Sequence, residues 1–279
     1  MGRREPGNFA FRFNGIYKGP ILMAEGHTIH RLALDLKEMA GPPLSVSSPQ
    51  GKFPDARLLN RKRLRNTDAL GKHLLLTFDP GILHVHLGLL GKFVRIQPLS
   101  PPRPQVRLRL STAEVAWDLL APNNCELWTE DDVERLKSRL GPDPLSPDAD
   151  AERVWQVLER YSGPIGAALL DQSVVAGVGN VYRAEVLLAA GVHPARSAYE
   201  VSREEFDVLW ESLRSMMRRG VEEGRIITVD TPPEVDRTSL PEAEARYIYK
   251  QSDCRRCGSP VDVLTVGGRT AYACTKEQS

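Results

Sequence analysis

Four stretches of this sequence hold residue types at spacings that support chemistry. Cys254 and Cys257 are two residues apart, and Cys274 follows after sixteen more. That spacing fits the first three ligands of a Cys-x2-Cys…Cys-x2-Cys zinc site. The fourth ligand position is 277, which here is Glu277. A carboxylate can ligate zinc, though a site of three thiolates and one carboxylate binds less tightly than one of four thiolates. Three buried thiols without a metal are the alternative. Between the cysteines, Val263–Val266 and Thr270–Ala273 flank Gly267 and Gly268. Two glycines accept the positive φ angles of a tight hairpin turn. The spacing therefore predicts a β-hairpin clamped at its open end, with Arg269 at its tip.

The second stretch runs from Gly163 to Gly191, where two helical segments flank a turn at Gly177-Val178-Gly179-Asn180. Glycine lets another group approach the backbone closely, and a helix start presents unpaired N–H groups and a positive dipole end. Such a turn suits a phosphate, with Asn180 adding a side-chain donor, although tight helix packing explains the glycines equally well. The third stretch sets the Glu25 carboxylate beside Ala24, a position that could become a chain terminus. Taken alone, a Glu opening a helix simply favours the dipole. In the fourth, Gly71-Lys72-His73 enters a strand, and a lone Lys there ordinarily faces water or blocks edge pairing. Seven Lys or Arg fall between Lys52 and Lys72, against Asp55 and Asp68. A local strip of that kind binds phosphate even where the net charge is only +1; a solvated face is the plainer reading.

These residues must be positioned by a chain of 279 residues, 41% hydrophobic and 26% charged, which predicts two or more globular units. No uncharged stretch reaches the roughly 18 residues of a membrane span. The first 22 residues have no apolar block, so a poorly ordered leader or a mis-assigned start is expected rather than a secretory signal. Four cysteines are too few for a secreted disulfide scaffold, and a cytoplasmic setting is expected.

Ile29, Leu32, Ala33 and Leu36 mark a helix ending before Gly41-Pro42-Pro43. Strands are predicted at His73–Phe78, Ile82–His86, Lys92–Ile96, Val106–Leu110 and Val115–Leu119. Together these give an antiparallel sandwich or barrel with one helix beside it. Thr129 with Asp132 opens a helix through Leu140, and the Pro-rich Gly141–Pro147 reads as a hinge. The whole of Ala151–Val221 reads helical, with a core stripe at Phe206, Leu209, Trp210, Leu213, Met216 and Met217. Residues 224–241 form a long loop, and short strands return after Tyr247. Cys125 reads as a small buried hydrophobe.

Taken in order, AEGHTIHRLA, GKHLLL, HVHLGLLGKF, LGPDPL, LLDQSVVAGVGNVYRAEVL and the cysteine hairpin CRRCGSPVDVLTVGGRTAYAC resemble the formamidopyrimidine-DNA glycosylase and endonuclease VIII family. The resemblance runs from Met23 to about Cys274. It implies an α+β protein: an N-terminal antiparallel β-sandwich with a flanking helix (23–140), a helical domain with a helix–two-turn–helix motif (148–240), and a C-terminal β-hairpin zinc finger (245–279). It also implies excision of oxidised bases from damaged double-stranded DNA, followed by nicking of the abasic strand.

By motif match Ala24 holds the nucleophile position, Glu25 is the catalytic acid and Lys72 contacts the phosphate beside the lesion. Asn180 and Arg269 would hold the backbone, with Gly177 and Gly179 in the phosphate turn. Leu89 and Leu90 would fill the gap left by the extruded base. Cys254, Cys257 and Cys274 would hold structural zinc. The opening Ala-Glu-Gly-His-Thr is closer to the endonuclease VIII branch, which favours oxidised pyrimidines, than to the Pro-Glu-Leu-Pro-Glu of the purine-directed branch. A monomer acting on the nucleoid, away from membranes, is expected.

The family nucleophile is a terminal amine. With a pKa near 7.8, roughly one-seventh of such amines are unprotonated at pH 7, against about 0.04% of lysines. An internal Ala24 nitrogen is an amide and cannot attack the sugar, so the expectation is that translation starts at Met23 and that Met is removed. If the amine is absent, the same fold would be a non-catalytic binder of damaged or abasic DNA.

Overall fold

The structure, a computed structural model, describes residues 24–97 and 99–279. The leader expected at 1–22, and Met23, lie outside the described residues. The chain opens with α1 (Gly26–Asp35), continued by a 3-10 turn over Leu36–Met39. There follow β1 (Ser45–Ser47), the one-turn helix α2 (Ala56–Leu59), β2 (Leu64–Leu70), β3 (His73–Phe78) and β4 (Gly81–His86). Next come β5 (Lys92–Ile96), β6 (Val106–Ser111), β7 (Ala116–Leu120) and β8 (Asn124–Trp128).

These strands form two antiparallel four-stranded sheets, ordered β1-β6-β7-β5 and β2-β3-β4-β8. Separate sheets decide for the sandwich over the barrel. Its core holds Leu36, Leu44, Leu74, Leu76, Leu83, Val85, Leu108, Leu110, Leu119 and Cys125. Leu75, on the other face of β3, packs against Ile82 and Val133. Val133 belongs to α3 (Glu130–Arg139), which covers the outer face and starts in a Thr129–Asp132 capping box.

The second half builds α4 (Ala151–Leu158), α5 (Ile165–Ala168), α6 (Asn180–Ala189) and α7 (Arg203–Glu223). The expectation that all of 151–221 is helical is therefore corrected. After Ala168 the chain runs in turns to Gly179, and Gly177 takes φ +88° there, which a continuing helix does not allow. The apolar stripe of α7 is buried as expected, and the helix closes on Gly224 at φ +72°. Leu158, Ile165, Val181, Leu187, Phe206 and Leu213 form a second core. The hairpin of β9 (Val261–Val266) and β10 (Arg269–Cys274) shares that core through Cys254, Val261 and Cys274.

The Pro-rich stretch 141–147 is pinned. Asp143, 5% exposed, accepts from the Gly71 and Leu145 amides at 2.8 and 2.9 Å and pairs with His30 of α1 at 2.8 Å. Among the described residues, no helix is long and apolar enough to cross a membrane.

Candidate active site and nucleic-acid interface

Glu25 sits in extended backbone just before α1, and its side chain makes no cap bond to its own helix. Its side chain turns to the start of α6. Oε1 accepts from the Val181 amide at 2.9 Å, and Oε2 accepts from Gly179 at 3.0 Å and Tyr182 at 3.3 Å. A helix start offers unpaired N–H groups and positive potential, so it binds a carboxylate without a salt partner. Gly179 is required here because a Cβ at that position would lie 2.4 Å from Glu25 Cδ. The Gly26 amide adds a bond to the Gly177 carbonyl at 2.8 Å. Glu25 is 1% exposed. Burial pushes its pKa up, while Lys72 and the α6 amides pull it down, and the net direction is upward. A carboxyl in that state is suited to proton donation.

The phosphate-turn reading changes accordingly. The Gly179 amide is taken by Glu25, and the Gly177 amide by Gln172 Oε1 at 2.9 Å. The α6 N-terminus thus serves an internal anion, because Glu25 is already buried against it. Asn180 remains half-exposed, with Nδ2 donating to the Thr270 carbonyl at 3.0 Å.

Lys72 follows Gly71 in the turn between β2 and β3, where Gly71 has φ +56°. Burial pulls the Lys72 pKa down, the Glu25 charge opposes this, and Arg269 adds to the lowering. Those couplings put Glu25, Lys72 and the exposed Arg269 in one electrostatic neighbourhood. Ala24, half-buried against the sandwich core, adjoins Glu25 in the chain. Leu89 and Leu90 stand 62% and 63% exposed on the turn between β4 and β5. The strip from Lys52 to Arg65 is exposed at each of its Lys and Arg residues, with Arg65 paired to Asp79 at 2.8 Å.

At the hairpin's open end the sulfurs of Cys254, Cys257 and Cys274 all lie within 4.8 Å of one another. Glu277 does not complete this group. It faces Arg256 at 3.3 Å instead, the ion pair satisfying the carboxylate locally. Bonds from Ser259 hold the Cys257 thiol below its ordinary pKa, whereas burial pushes the Cys254 thiol up to about 11.

The sequence matches the family models described as "Formamidopyrimidine-DNA glycosylase N-terminal domain" over residues 22–131 and "Formamidopyrimidine-DNA glycosylase H2TH domain" over 140–231. It is 42% identical to Endonuclease 8 1 of Mycobacterium tuberculosis over 265 residues, covering 90% of this chain and 98% of that protein. The chain belongs to the formamidopyrimidine-DNA glycosylase family. A formamidopyrimidine-DNA glycosylase of Methylococcus capsulatus is 32% identical over 79% of this chain and 83% of its own length. The Lactococcus lactis glycosylase, solved non-covalently bound to DNA containing an AP site, has a TM-score of 0.75 at 23% identity. That match covers 91% of this chain and 99% of the other, and it shows the shared fold.

Four buried polar residues of this family member escaped the sequence reading. Arg183 is 1% exposed on α6, and a charged residue in a helical pattern ordinarily reads as solvated. Tyr182 and His27 meet edge-on at 5.3 Å beneath Glu25's helix start, and burial pushes the His27 pKa down to about 3. Gln278 accepts from the Cys274 amide at 2.7 Å and donates to the Val192 carbonyl at 2.8 Å, docking the tail that follows the last cysteine. No local spacing signals any of the four, because each has a partner distant in sequence.

Proposed function

We propose that the chain is a bifunctional DNA glycosylase and abasic-site lyase of base excision repair, acting on oxidised bases with pyrimidines favoured. The observation that carries this is Glu25, a buried carboxyl with a raised pKa beside Ala24 and in the field of Lys72. The target nucleotide is first extruded, at a cost of a few kcal/mol that is lowest for damaged bases. The Ala24 amine then attacks C1′ and the C1′–N bond to the base breaks. The base leaves with the bonding pair and takes up one proton from the attacking nitrogen, and the nitrogen lone pair opens the sugar ring to give a protonated imine. Glu25 donates a proton to the opening ring oxygen. The imine acidifies the adjacent C2′–H, and removal of that proton expels the 3′ phosphate.

Lys72, Asn180 and Arg269 hold the backbone around the lesion in this reading, and Leu89 and Leu90 occupy the vacated stack. The Gly177–Gly179 turn acts indirectly, by seating Glu25. Zinc on Cys254, Cys257 and Cys274 would stiffen the hairpin base; the donor set fits three of the four positions of a structural site. The preference for pyrimidines is supported by the opening Ala-Glu-Gly-His-Thr and by the likeness to Endonuclease 8 1. The protein would act as a monomer on damaged duplex DNA in the cytoplasm.

The mechanism needs a free amine at residue 24 and therefore an active form that begins there. Intact mass of protein from its native host reads this directly, and a mass that includes residues 1–22 defeats it. Borohydride trapping on an abasic duplex reads the chemistry. A covalent adduct at Ala24 is expected; tight binding with no adduct moves the assignment to a non-catalytic binder of damaged DNA.

A further inference from the structure

Arg183 lies on α6 one turn beyond Asn180, and its guanidinium is enclosed. Removing such a charge from water costs several kcal/mol unless its hydrogens find acceptors. Here the acceptors come from three segments. Nη1 donates to the carbonyls of Gly166 at 3.3 Å and Val266 at 3.4 Å. Nη2 donates to the Thr270 carbonyl and to Asn180 Oδ1. Val266 and Thr270 bracket the two-glycine turn and Arg269. Asn180 Nδ2 donates to the same Thr270 carbonyl at 3.0 Å. The hairpin tip and the Asn180 amide therefore converge on one cation whose hydrogen-bond acceptors are all uncharged.

The cysteines cannot supply this anchoring. Cys274 pairs with Val261 and Arg269 with Val266, so the two ends of the hairpin are about 17 Å apart at roughly 3.4 Å per residue. A metal at the open end fixes that end only, and two consecutive glycines leave the tip its own freedom to move. Gly267 nevertheless sits tightly, since a Cβ there would lie 2.8 Å from Ala167 Cβ on α5. The tip is thus held from beneath by α5 and α6.

We propose that Arg183 is a positioning residue that seats the hairpin tip on α6, so that Arg269 and Asn180 present their donors as one rigid phosphate clamp. The consequence for DNA rests on the phosphate roles proposed above; the seating does not. Arg183→Lys keeps the charge and loses the fork that reaches several carbonyls at once. In the full chain, hydrogen exchange of amides 265–270 should accelerate, while amides of β3, β4 and the cysteine end stay protected. Affinity for a duplex carrying a tetrahydrofuran abasic analogue should fall about tenfold, as for loss of one charge-assisted contact.

The slope of log affinity against log salt should shrink by about one phosphate contact. Arg183→Lys and Arg269→Ala combined should cost less affinity than the two single losses summed, because both act through one grip. If the lysine variant is unstable throughout, Arg183→Gln, which keeps an amide donor without the charge, must give the same local pattern. A tip that stays protected in both variants overturns the seating, as does an additive double variant. If Arg269→Ala alone leaves affinity unchanged, it is the phosphate reading that fails, and the exchange pattern still judges the seat.

Discussion

Placing one methyl group at residue 179 tests the central geometry. Gly179 has φ −125°, which any residue adopts, so Gly179→Ala adds no backbone strain and acts through sterics alone. The new Cβ would sit 2.4 Å from Glu25 Cδ and 2.6 Å from Oε1. Ordinary contact requires about 3.4 Å or more, so the carboxyl must retreat by about 1 Å. That distance breaks the 3.0 Å bond from the Gly179 amide and loosens those from Val181 and Tyr182. Overpacking of this kind costs about 1–3 kcal/mol of stability. Displacing a general acid costs about 10²–10⁴ in rate, or roughly 3–5 kcal/mol of barrier. Single-turnover excision from a duplex holding one oxidised pyrimidine should therefore slow at least a hundredfold, with thermal unfolding confirming that the variant is folded. A folded Gly179→Ala protein excising at the wild-type rate refutes the claim that Glu25's seat on α6 governs the chemistry.

Buried histidines should make the fold acid-sensitive. Burial pushes the pKa values of His27 and His84 down to about 3 and about 4. The folded state then binds fewer protons than an unfolded chain titrating near 6.5, so their contribution is complete above pH 6.5 and is lost as pH falls towards 4, at about 1.4 kcal/mol per unit for each. Glu25, with its pKa raised, works in the opposite sense. The decisive comparison is urea unfolding of wild type and His84→Asn at pH 7 and 5, where the variant's drop should be smaller by about 2 kcal/mol; equal drops refute it.

Chelation should render Cys254, Cys257 and Cys274 reactive towards a thiol reagent. Cys125, whose thiol burial pushes up to about 12, stays silent until the chain unfolds; four reacting thiols in folded protein contradict this. Leu89→Ala with Leu90→Ala should change stability by less than about 0.5 kcal/mol, since both are exposed. The same pair should slow base excision about tenfold or more, and an unchanged excision rate removes their role in filling the stack.

The contrast between β3 and β2 shows what was legible in the sequence. The run His73–Phe78 buries apolar side chains on both faces and ends at an Asp-Pro-Gly turn, so its composition declares a strand. Leu64–Leu70 reads Leu-Arg-Asn-Thr-Asp-Ala-Leu and buries only Leu64 and Thr67. Its strand character comes from pairing with β3 and from Thr67 Oγ1 donating to the Ala33 carbonyl at 2.6 Å. Edge strands take their conformation from a neighbour, and the local pattern carries no trace of it. Glu25 was legible as a catalytic candidate through the family resemblance, but the seat of its carboxyl was not, for a related reason. Its carboxyl is defined by amides more than 150 positions away. Arg183 carried no signal in the sequence because the hairpin that encloses it arrives from the far end of the chain.

The opposing influences on Glu25 also account for how one carboxyl could serve a proton transfer. Burial favours the neutral acid before reaction, when the proton must be at hand. In the proposed mechanism, once the proton passes to the sugar oxygen the residue would be an anion facing three amides at the start of α6 and the Lys72 charge. Donors fixed in advance at the site of developing charge need no reorganisation, which is the condition for electrostatic stabilisation of a transition state. Burial alone would hold the proton too tightly to release it, and amides alone would leave a carboxylate with no proton to give. The glycine at 179 permits both at once, because it lets the carboxyl reach the helix start while the surrounding chain shuts out water. The same short backbone contacts join the sandwich to the helices, so the group that would react is also a tie between the two cores.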